Sequence, residues 1–125
     1  MAKKILVVDD EEKIVKMVET RLKASGYEVL TAYDGSQGLQ KATQETPDLI
    51  VLDIMMPGVD GTDMAQSIRI NEETKNIPII FLTCLIDKQE ADDIGHKIAG
   101  DLFLAKPFDA NELLSMIDKV LTENK

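Results

Sequence analysis

A chain of 125 residues has the length of one domain and can bury roughly two-thirds of its unfolded surface in a single core. It is 44% hydrophobic and 30% charged, ordinary values for a globular protein, and no apolar run approaches the roughly 20 residues that span a bilayer. A formal charge of −9, from 14 Lys and Arg against 23 Asp and Glu, repels nucleic acid and anionic lipid and argues against direct binding to either. The single cysteine, Cys84, and single histidine, His96, exclude an internal disulfide and a Cys/His zinc site, so any metal must be a hard, oxygen-liking ion.

Met1-Ala2-Lys3-Lys4 leads directly into a strand without the apolar core or cleavage site of a signal peptide, so a cytoplasmic protein is expected. Lys3 to Val8 reads as that strand, and it ends on Asp9-Asp10-Glu11-Glu12. Val15, Val18 and Leu22 then recur at helical spacing, and the acidic residues before them suit the helix dipole. Ser25-Gly26 closes the helix, and Tyr27 to Ala32 is a second strand. Asp34-Gly35 opens a helix through about Glu45 with Leu39 and Ala42 inward, and Thr46-Pro47 ends it.

Leu49-Ile50-Val51-Leu52 is too short for a buried helix and reads as a strand covered on both faces. Asp53 stands at its carboxyl end, where open α/β sheets collect ligands, and a carboxylate beside such a run is costly to keep charged unless something binds it. A Pro57-Gly58 turn follows, and Asp60 can cap a helix carrying Met64, Ala65 and Ile68, with Ile70 a further candidate. The polar stretch Asn71 to Asn76 is a loop, and Pro78 precedes the strand Ile79 to Thr83. A fourth helix over about Asp87 to Ile98 has weak periodicity and an internal Gly95, which costs about 1 kcal/mol relative to Ala and makes it the most mobile element. Leu102 to Ala105 is a fifth strand, followed by Lys106-Pro107-Phe108. Asp109 caps a last, strongly periodic helix carrying Leu113, Leu114, Ile117, Val120 and Leu121.

Five strands alternating with five helices make an α/β fold with an open parallel sheet, its order not readable from spacing. The carboxyl ends bring Asp9 and Asp10 from the first strand, Asp53 from the third, Thr83 from the fourth and Lys106 from the fifth. Each has an ordinary role available: helix cap, loop cap, β-branched strand residue, turn. Their joint occurrence carries the functional reading.

Val7-Val8-Asp9-Asp10-Glu11, Leu52 through Gly61, Leu82-Thr83 and Phe103 through Phe108 together resemble the receiver domains of two-component response regulators, the single-domain chemotaxis type being the nearest in architecture. The likeness covers essentially the whole chain. It implies a flavodoxin-like, doubly wound sheet of order 2-1-3-4-5, with residues 1–125 as one receiver domain and no output domain. It implies that Asp53 accepts a phosphoryl group from a phosphohistidine on a sensor histidine kinase or phosphotransfer protein. A carboxylate is a competent nucleophile for this, forming an acyl phosphate, provided charge is managed. Asp9, Asp10, phosphorylated Asp53 and Lys106 leave a sum of about −3, and like charges about 5 Å apart repel by roughly 3 kcal/mol per pair. A divalent ion, Mg²⁺ or Mn²⁺, is therefore close to obligatory. Its expected ligands are Asp10, Asp53, Asp9 directly or through water, and the main-chain carbonyl of Met55. Lys106 and Thr83 would each meet a phosphoryl oxygen. The Lys106-Pro107 bond is expected to be cis, as is common in the family.

The same likeness implies an output: Thr83 moves toward the phosphoryl oxygen, Phe103 turns inward, and a face of the fourth helix, fifth strand and fifth helix meets a downstream target protein or output domain. A 1:99 to 99:1 shift needs about 5.5 kcal/mol, within reach of a few charge-assisted bonds. Phe103 stands where relatives often carry Tyr, so no hydroxyl contact with a target is available. Ile14 and Met17 are an extra apolar pair on the first helix near the acidic loop, expected to dock the kinase's helical bundle. Met55 and Leu85 put apolar side chains where some relatives orient an attacking water, which predicts a long-lived phosphoform. Cys84 is expected to be a small buried residue beside the site, and His96 a solvated helix position. The chain is expected to be no enzyme beyond its own phosphorylation and dephosphorylation, and a monomer or weak homodimer.

Two other classes fit less well. A Mg-dependent aspartyl-phosphate phosphohydrolase of the haloacid-dehalogenase type resembles an arrangement with its nucleophile ending the first strand and another acidic pair after the Lys, whereas here an apolar helix follows Lys106. A phosphorylation-independent adaptor would leave the complete set of strand-end residues without purpose. Flavin binding is disfavoured, because the first loop presents carboxylates where a phosphate needs amides.

Overall fold

The computed structural model describes residues 2–56, 61–84, 97–98 and 101–123. The elements run β1 (Lys4–Val8), α1 (Glu12–Ala24), β2 (Glu28–Ala32), α2 (Gly35–Glu45), β3 (Leu49–Asp53), α3 (Gly61–Ile70), β4 (Ile79–Thr83), β5 (Lys97–Ile98), β6 (Asp101–Ala105) and α4 (Ala110–Glu123). The five longer strands are parallel and ordered β2-β1-β3-β4-β6, the 2-1-3-4-5 arrangement when those five are counted along the chain. The flavodoxin-like α/β fold is thus as expected, with four helices among the described residues rather than five. The helix predicted over 87–98 lies mostly outside those residues. Its last two positions differ from expectation: Lys97 and Ile98 pair antiparallel with Leu102 and Asp101 as an edge strand.

Strand alternation divides the core into two layers. Ile5, Val7, Leu49, Val51, Ile80, Leu82 and Leu104 pack with Val15, Val18 and Leu22 of α1 and Leu113, Ile117 and Val120 of α4. Leu6, Val8, Ile50, Leu52, Ile79 and Phe81 face Ala42 of α2 and Met64, Ala65 and Ile68 of α3. Both faces of β1, β3 and β4 are covered, which is why their sequences are continuous apolar runs instead of alternating ones. Ile70, a candidate core position, is 78% exposed. It is the last residue of α3, and the helical apolar stripe is already complete at Ile68.

Helix ends follow their local chemistry. At the end of α1 the Tyr27 N–H reaches the Leu22 carbonyl at 3.1 Å and the Gly26 N–H reaches that of Lys23 at 3.0 Å, with Gly26 at φ 94°. This is a Schellman closure, and the left-handed residue it needs is the glycine. Asp34 caps α2 by accepting from the Gln37 N–H at 2.8 Å. Asp109 accepts from the Asn111 N–H at 2.7 Å while Glu112 accepts from the Asp109 N–H at 3.1 Å, a reciprocal box that starts α4. The Asp60 cap and the Pro57-Gly58 turn lie outside the described residues. Among the described residues, no helix is long and apolar enough to cross a membrane.

Candidate functional site

The alternation that builds the α1/α4 layer also aims three charged residues. Ile5-Val7-Asp9, Leu49-Val51-Asp53 and Leu102-Leu104-Lys106 are successive same-face positions on three strands, and the pattern turns from apolar to charged where each strand ends. Ladder bonds persist one residue further and hold the register: Asp9 N–H to Ala32 O at 3.2 Å, Ile54 N–H to Leu82 O at 3.1 Å, and Lys106 N–H to Thr83 O at 2.8 Å. The Lys106-Pro107 peptide is cis, as expected.

The three side chains converge. Lys106 Nζ lies 2.9 Å from Asp9 Oδ2, 3.3 Å from Asp53 Oδ2 and 3.1 Å from Glu11 Oε1. Asp9 is fully buried and Asp53 is 3% exposed. The remaining oxygens are held by their own loops: Asp9 Oδ1 accepts from the Glu11 N–H at 2.9 Å, and Asp53 Oδ1 from the Met55 N–H at 3.2 Å. These are side-chain turns in which a carboxylate substitutes for a backbone acceptor. Asp10, exposed, completes a group with Asp9, Glu11 and Asp53 whose oxygens lie within 4.8 Å of one another. Glu11 was not singled out by the sequence. The signal was present in the Asp-Asp-Glu run, but a helix-start acid has an ordinary electrostatic role that masked it.

Such crowding shifts the titrations. Burial first, and then the Asp9 carboxylate, push the Asp53 carboxyl up to about 6, against the pull of Lys106 and the Met55 amide. Burial works against the Lys106 ammonium, yet Asp9, Asp53 and Glu11 outweigh it and drive its pKa upward. Asp9 Oδ2 receives no directed hydrogen bond even though Lys106 lies close, so that contact is an ion pair without hydrogen-bond geometry. A buried carboxylate oxygen in that state, among all-oxygen donors, suits a hard cation.

Thr83 is buried, and alternation with Ile79 and Phe81 puts it on the α2/α3 face, opposite in parity to the three charged residues. Phe103 shares that face and is the register partner of Phe81, with ring centroids 5.2 Å apart. Thr83 pairs with Ala105, two residues beyond Phe103, so the two proposed switch residues are diagonal neighbours on adjoining strands. Cys84 differs from expectation: it is exposed, because β4 has ended and its side chain borders the groove. Leu85 and His96 lie outside the described residues.

That groove, of about 760 Å³, joins Asp10, Asp53 and Lys106 to Ile14, Met17, Met55, Cys84, Pro107 and Phe108. Ile14 is half-buried and Met17 is 42% exposed. Both predicted docking residues therefore sit on the wall of the cavity that holds Asp53. Met55, 55% exposed, forms part of the same wall.

Residues 5–118 match the family model described as "Response regulator receiver domain". Over its full length the chain is 40% identical to the alkaline phosphatase synthesis transcriptional regulatory protein PhoP of Bacillus subtilis, covering 51% of that protein. Over 98% of its length it is 47% identical to the probable transcriptional regulator ycf27 of Cyanophora paradoxa, covering 50% of it. The chain thus spans about half the length of these curated relatives. Among solved structures, the Vibrio cholerae chemotaxis protein CheY4 superposes with a TM-score of 0.82 at 33% identity, the match covering 96% of this chain and 99% of that one. The Francisella response regulator 1452 receiver domain does so with 0.83 at 31% identity, over 98% and 99%. A family match over residues 5–118, laid over strand ends that carry Asp9, Asp53, Thr83 and Lys106, leaves one assignment: the chain belongs to the response regulator receiver domains of two-component signalling.

Proposed function

We propose that Asp53 is the phosphoryl acceptor of this receiver and that its nucleophilic oxygen is Oδ2, the one not engaged by the Met55 amide. That oxygen attacks the phosphorus of a phosphohistidine on a sensor kinase or phosphotransfer protein. An O–P bond forms, the P–N bond breaks, and the imidazole, protonated from solvent on its second nitrogen, leaves as the neutral ring. Asp9, Asp10, Asp53 and the Met55 carbonyl would hold Mg²⁺, or Mn²⁺, as the buried Asp9 Oδ2, ion-paired but without a directed hydrogen bond, and the all-oxygen cluster favour. When bound, the dication supplies charge neutralisation for the three phosphoryl oxygens. Lys106 gives its ammonium to one of them and Thr83 its hydroxyl to another, so the chain's own part is positioning and charge rather than covalent work. It turns over no external substrate and catalyses only its own phosphorylation and dephosphorylation.

Thr83 and Phe103 then carry the state to a partner-binding face involving β6 and α4, read by a target protein or by an output domain. The relatives' description as transcriptional regulators supports the second. Ile14 and Met17 dock the kinase helix beside the groove, in the cytoplasm. The observation that carries the reading is the convergence of Lys106 on Asp9 and buried Asp53. Incubation with Mg²⁺ and a small acyl-phosphate donor should add the mass of one phosphoryl group to the wild type and none to Asp53→Asn. Equal labelling of both removes the proposal.

A further inference from the structure

Lys106 has three carboxylate partners, and they are not equivalent. Asp9 and Asp53 are buried and belong to the proposed metal set, whereas Glu11 is 59% exposed, extends from the loop before α1, and takes a hydrogen bond from Nζ at 3.1 Å. Of the three contacts that to Glu11 has hydrogen-bond geometry, whereas those to Asp9 Oδ2 at 2.9 Å and Asp53 Oδ2 at 3.3 Å are ion pairs. The ammonium therefore stands at the oxygen a dication would use, tethered by an exposed residue outside the ligand set proposed above. We propose that Glu11 is a positioning residue for Lys106: it holds the ammonium at the rim of the pocket when Asp9 and Asp53 turn to a divalent ion, so that metal and Lys106 occupy the site together instead of competing for it. The inference rests on the metal-binding reading above and adds to it the residue that resolves this competition.

An ammonium has three N–H donors and three carboxylates around it. With Asp9 and Asp53 engaged elsewhere, two of those partners are lost. Glu11 alone then keeps a buried-stem, 12% exposed lysine from leaving for water. Without Glu11, Lys106 has only Asp9 and Asp53 to lean on, and it opposes the ion for both.

The test measures Mg²⁺ affinity by calorimetry, with no phosphoryl donor, in wild type, Glu11→Gln, Lys106→Met and the double variant. Glu11→Gln should weaken Mg²⁺ binding about threefold to tenfold when Lys106 is present, and less than about twofold in the Lys106→Met background. An equal loss in both backgrounds would mean that Glu11 acts by its own charge or as a ligand, and no loss in the first would mean that it does nothing; either overturns the proposal. Because Lys106→Met leaves buried carboxylates unpaired and can impair folding, a second readout uses single variants only. The side-chain methylene NMR signals of Lys106 should stay distinct from those of surface lysines on Mg²⁺ addition in wild type, and should merge with them in Glu11→Gln. Unchanged behaviour in the variant overturns it equally. A wild type that binds no Mg²⁺ overturns the site reading itself, whereas binding without coupling to Glu11 overturns only this inference.

Discussion

Asp9 and Asp53 hold their carboxylates alike: in each, Oδ1 accepts from the backbone N–H two residues on, and Oδ2 faces the Lys106 ammonium. Each loop commits one oxygen to its own turn and leaves the other to the pocket. Two buried negative charges thus share one positive charge, a deficit that a dication corrects.

Without metal, this arrangement should make Asp53 a liability to the fold at neutral pH. Its pKa of about 6 stands above the ~3.9 of an unfolded carboxyl. The folded state therefore favours the protonated form, a contribution fully present below about pH 4 and lost as pH rises through about 6. Asp53→Asn cannot ionise, so in metal-free buffer at neutral pH it should exceed the wild type in stability by on the order of 1–3 kcal/mol. The gap should close toward pH 4, and Mg²⁺ should narrow it at neutral pH. Urea denaturation across that range checks the sign; equal stabilities at neutral pH would refute it.

How far the site was legible in the sequence follows from the same parity. Asp9, Asp53, Thr83 and Lys106 could be placed at strand ends because each closes an apolar run. The sheet order came from the family likeness, since spacing alone does not say which strands adjoin. What stayed hidden was side-chain reach. Glu11 is one more acid in a helix-start run until the coordinates put it 3.1 Å from Lys106. Cys84 was expected inside because cysteine is usually buried, yet the strand ends one residue earlier. At the end of the weakly periodic 87–98 stretch, Lys97 and Ile98 are strand instead of helix, because they pair with Leu102 and Asp101.

The stacking of Phe103 on Phe81, beside Thr83, makes a specific demand of the switch. On phosphorylation the ring signals of Phe103 should shift in NMR spectra of the wild type, and in Thr83→Ala they should not, although Asp53 still takes up phosphate. Identical shifts in both proteins would uncouple Phe103 from Thr83. Phe103→Ala should in addition cost about 1–2 kcal/mol through the lost aromatic pair and half-buried area.

Gly61 should prove intolerant for a reason that lies in the site. A Cβ there would clash with the Asp53 carbonyl oxygen and come within 2.7 Å of Ile54 Cα, backbone atoms that cannot swing aside. The Gly61 N–H also bonds Ile54 O at 2.9 Å, tying the start of α3 to the end of β3. Gly61→Ala should lose about 1–3 kcal/mol and slow uptake from an acyl-phosphate donor by moving Asp53. Denaturation and the rate of mass gain measure the two effects separately; native values for both would show that the loop relaxes freely.

Away from the pocket, Tyr27 donates its hydroxyl to Asp118 of α4 and fastens the start of β2 to that helix. Burial first, then the Asp118 carboxylate, raise the phenol to about 12, above the ~10 of an unfolded tyrosine. The stabilisation is thus complete below about pH 10 and disappears as pH rises through about 12. In a Tyr33→Phe background, which leaves a single tyrosine, phenolate absorbance should appear with a midpoint near 12. Tyr27→Phe should cost about 0.5–1.5 kcal/mol at neutral pH. A midpoint near 10 would mean that the contact does not persist in solution.

Recognition by the kinase should be separable from the chemistry, because Ile14 and Met17 line the groove with apolar side chains that are not members of the acid cluster. Val15, Val18 and Leu22 are the buried residues of α1, while Met17, 42% exposed, and Ile14, packed only in part against the core, keep apolar surface on the groove that is available to a helix. A charge placed in such a contact is desolvated without a partner and typically costs a complex 1.4 kcal/mol or more, about tenfold in affinity. Ile14→Asp should therefore slow transfer from the cognate histidine kinase about tenfold more than it slows transfer from a small acyl-phosphate donor. The ratio of the two rates is the measurement, since any general damage to the pocket lowers both. A ratio unchanged from wild type would take the kinase away from this wall of the groove and leave Ile14 as a partly buried packing residue.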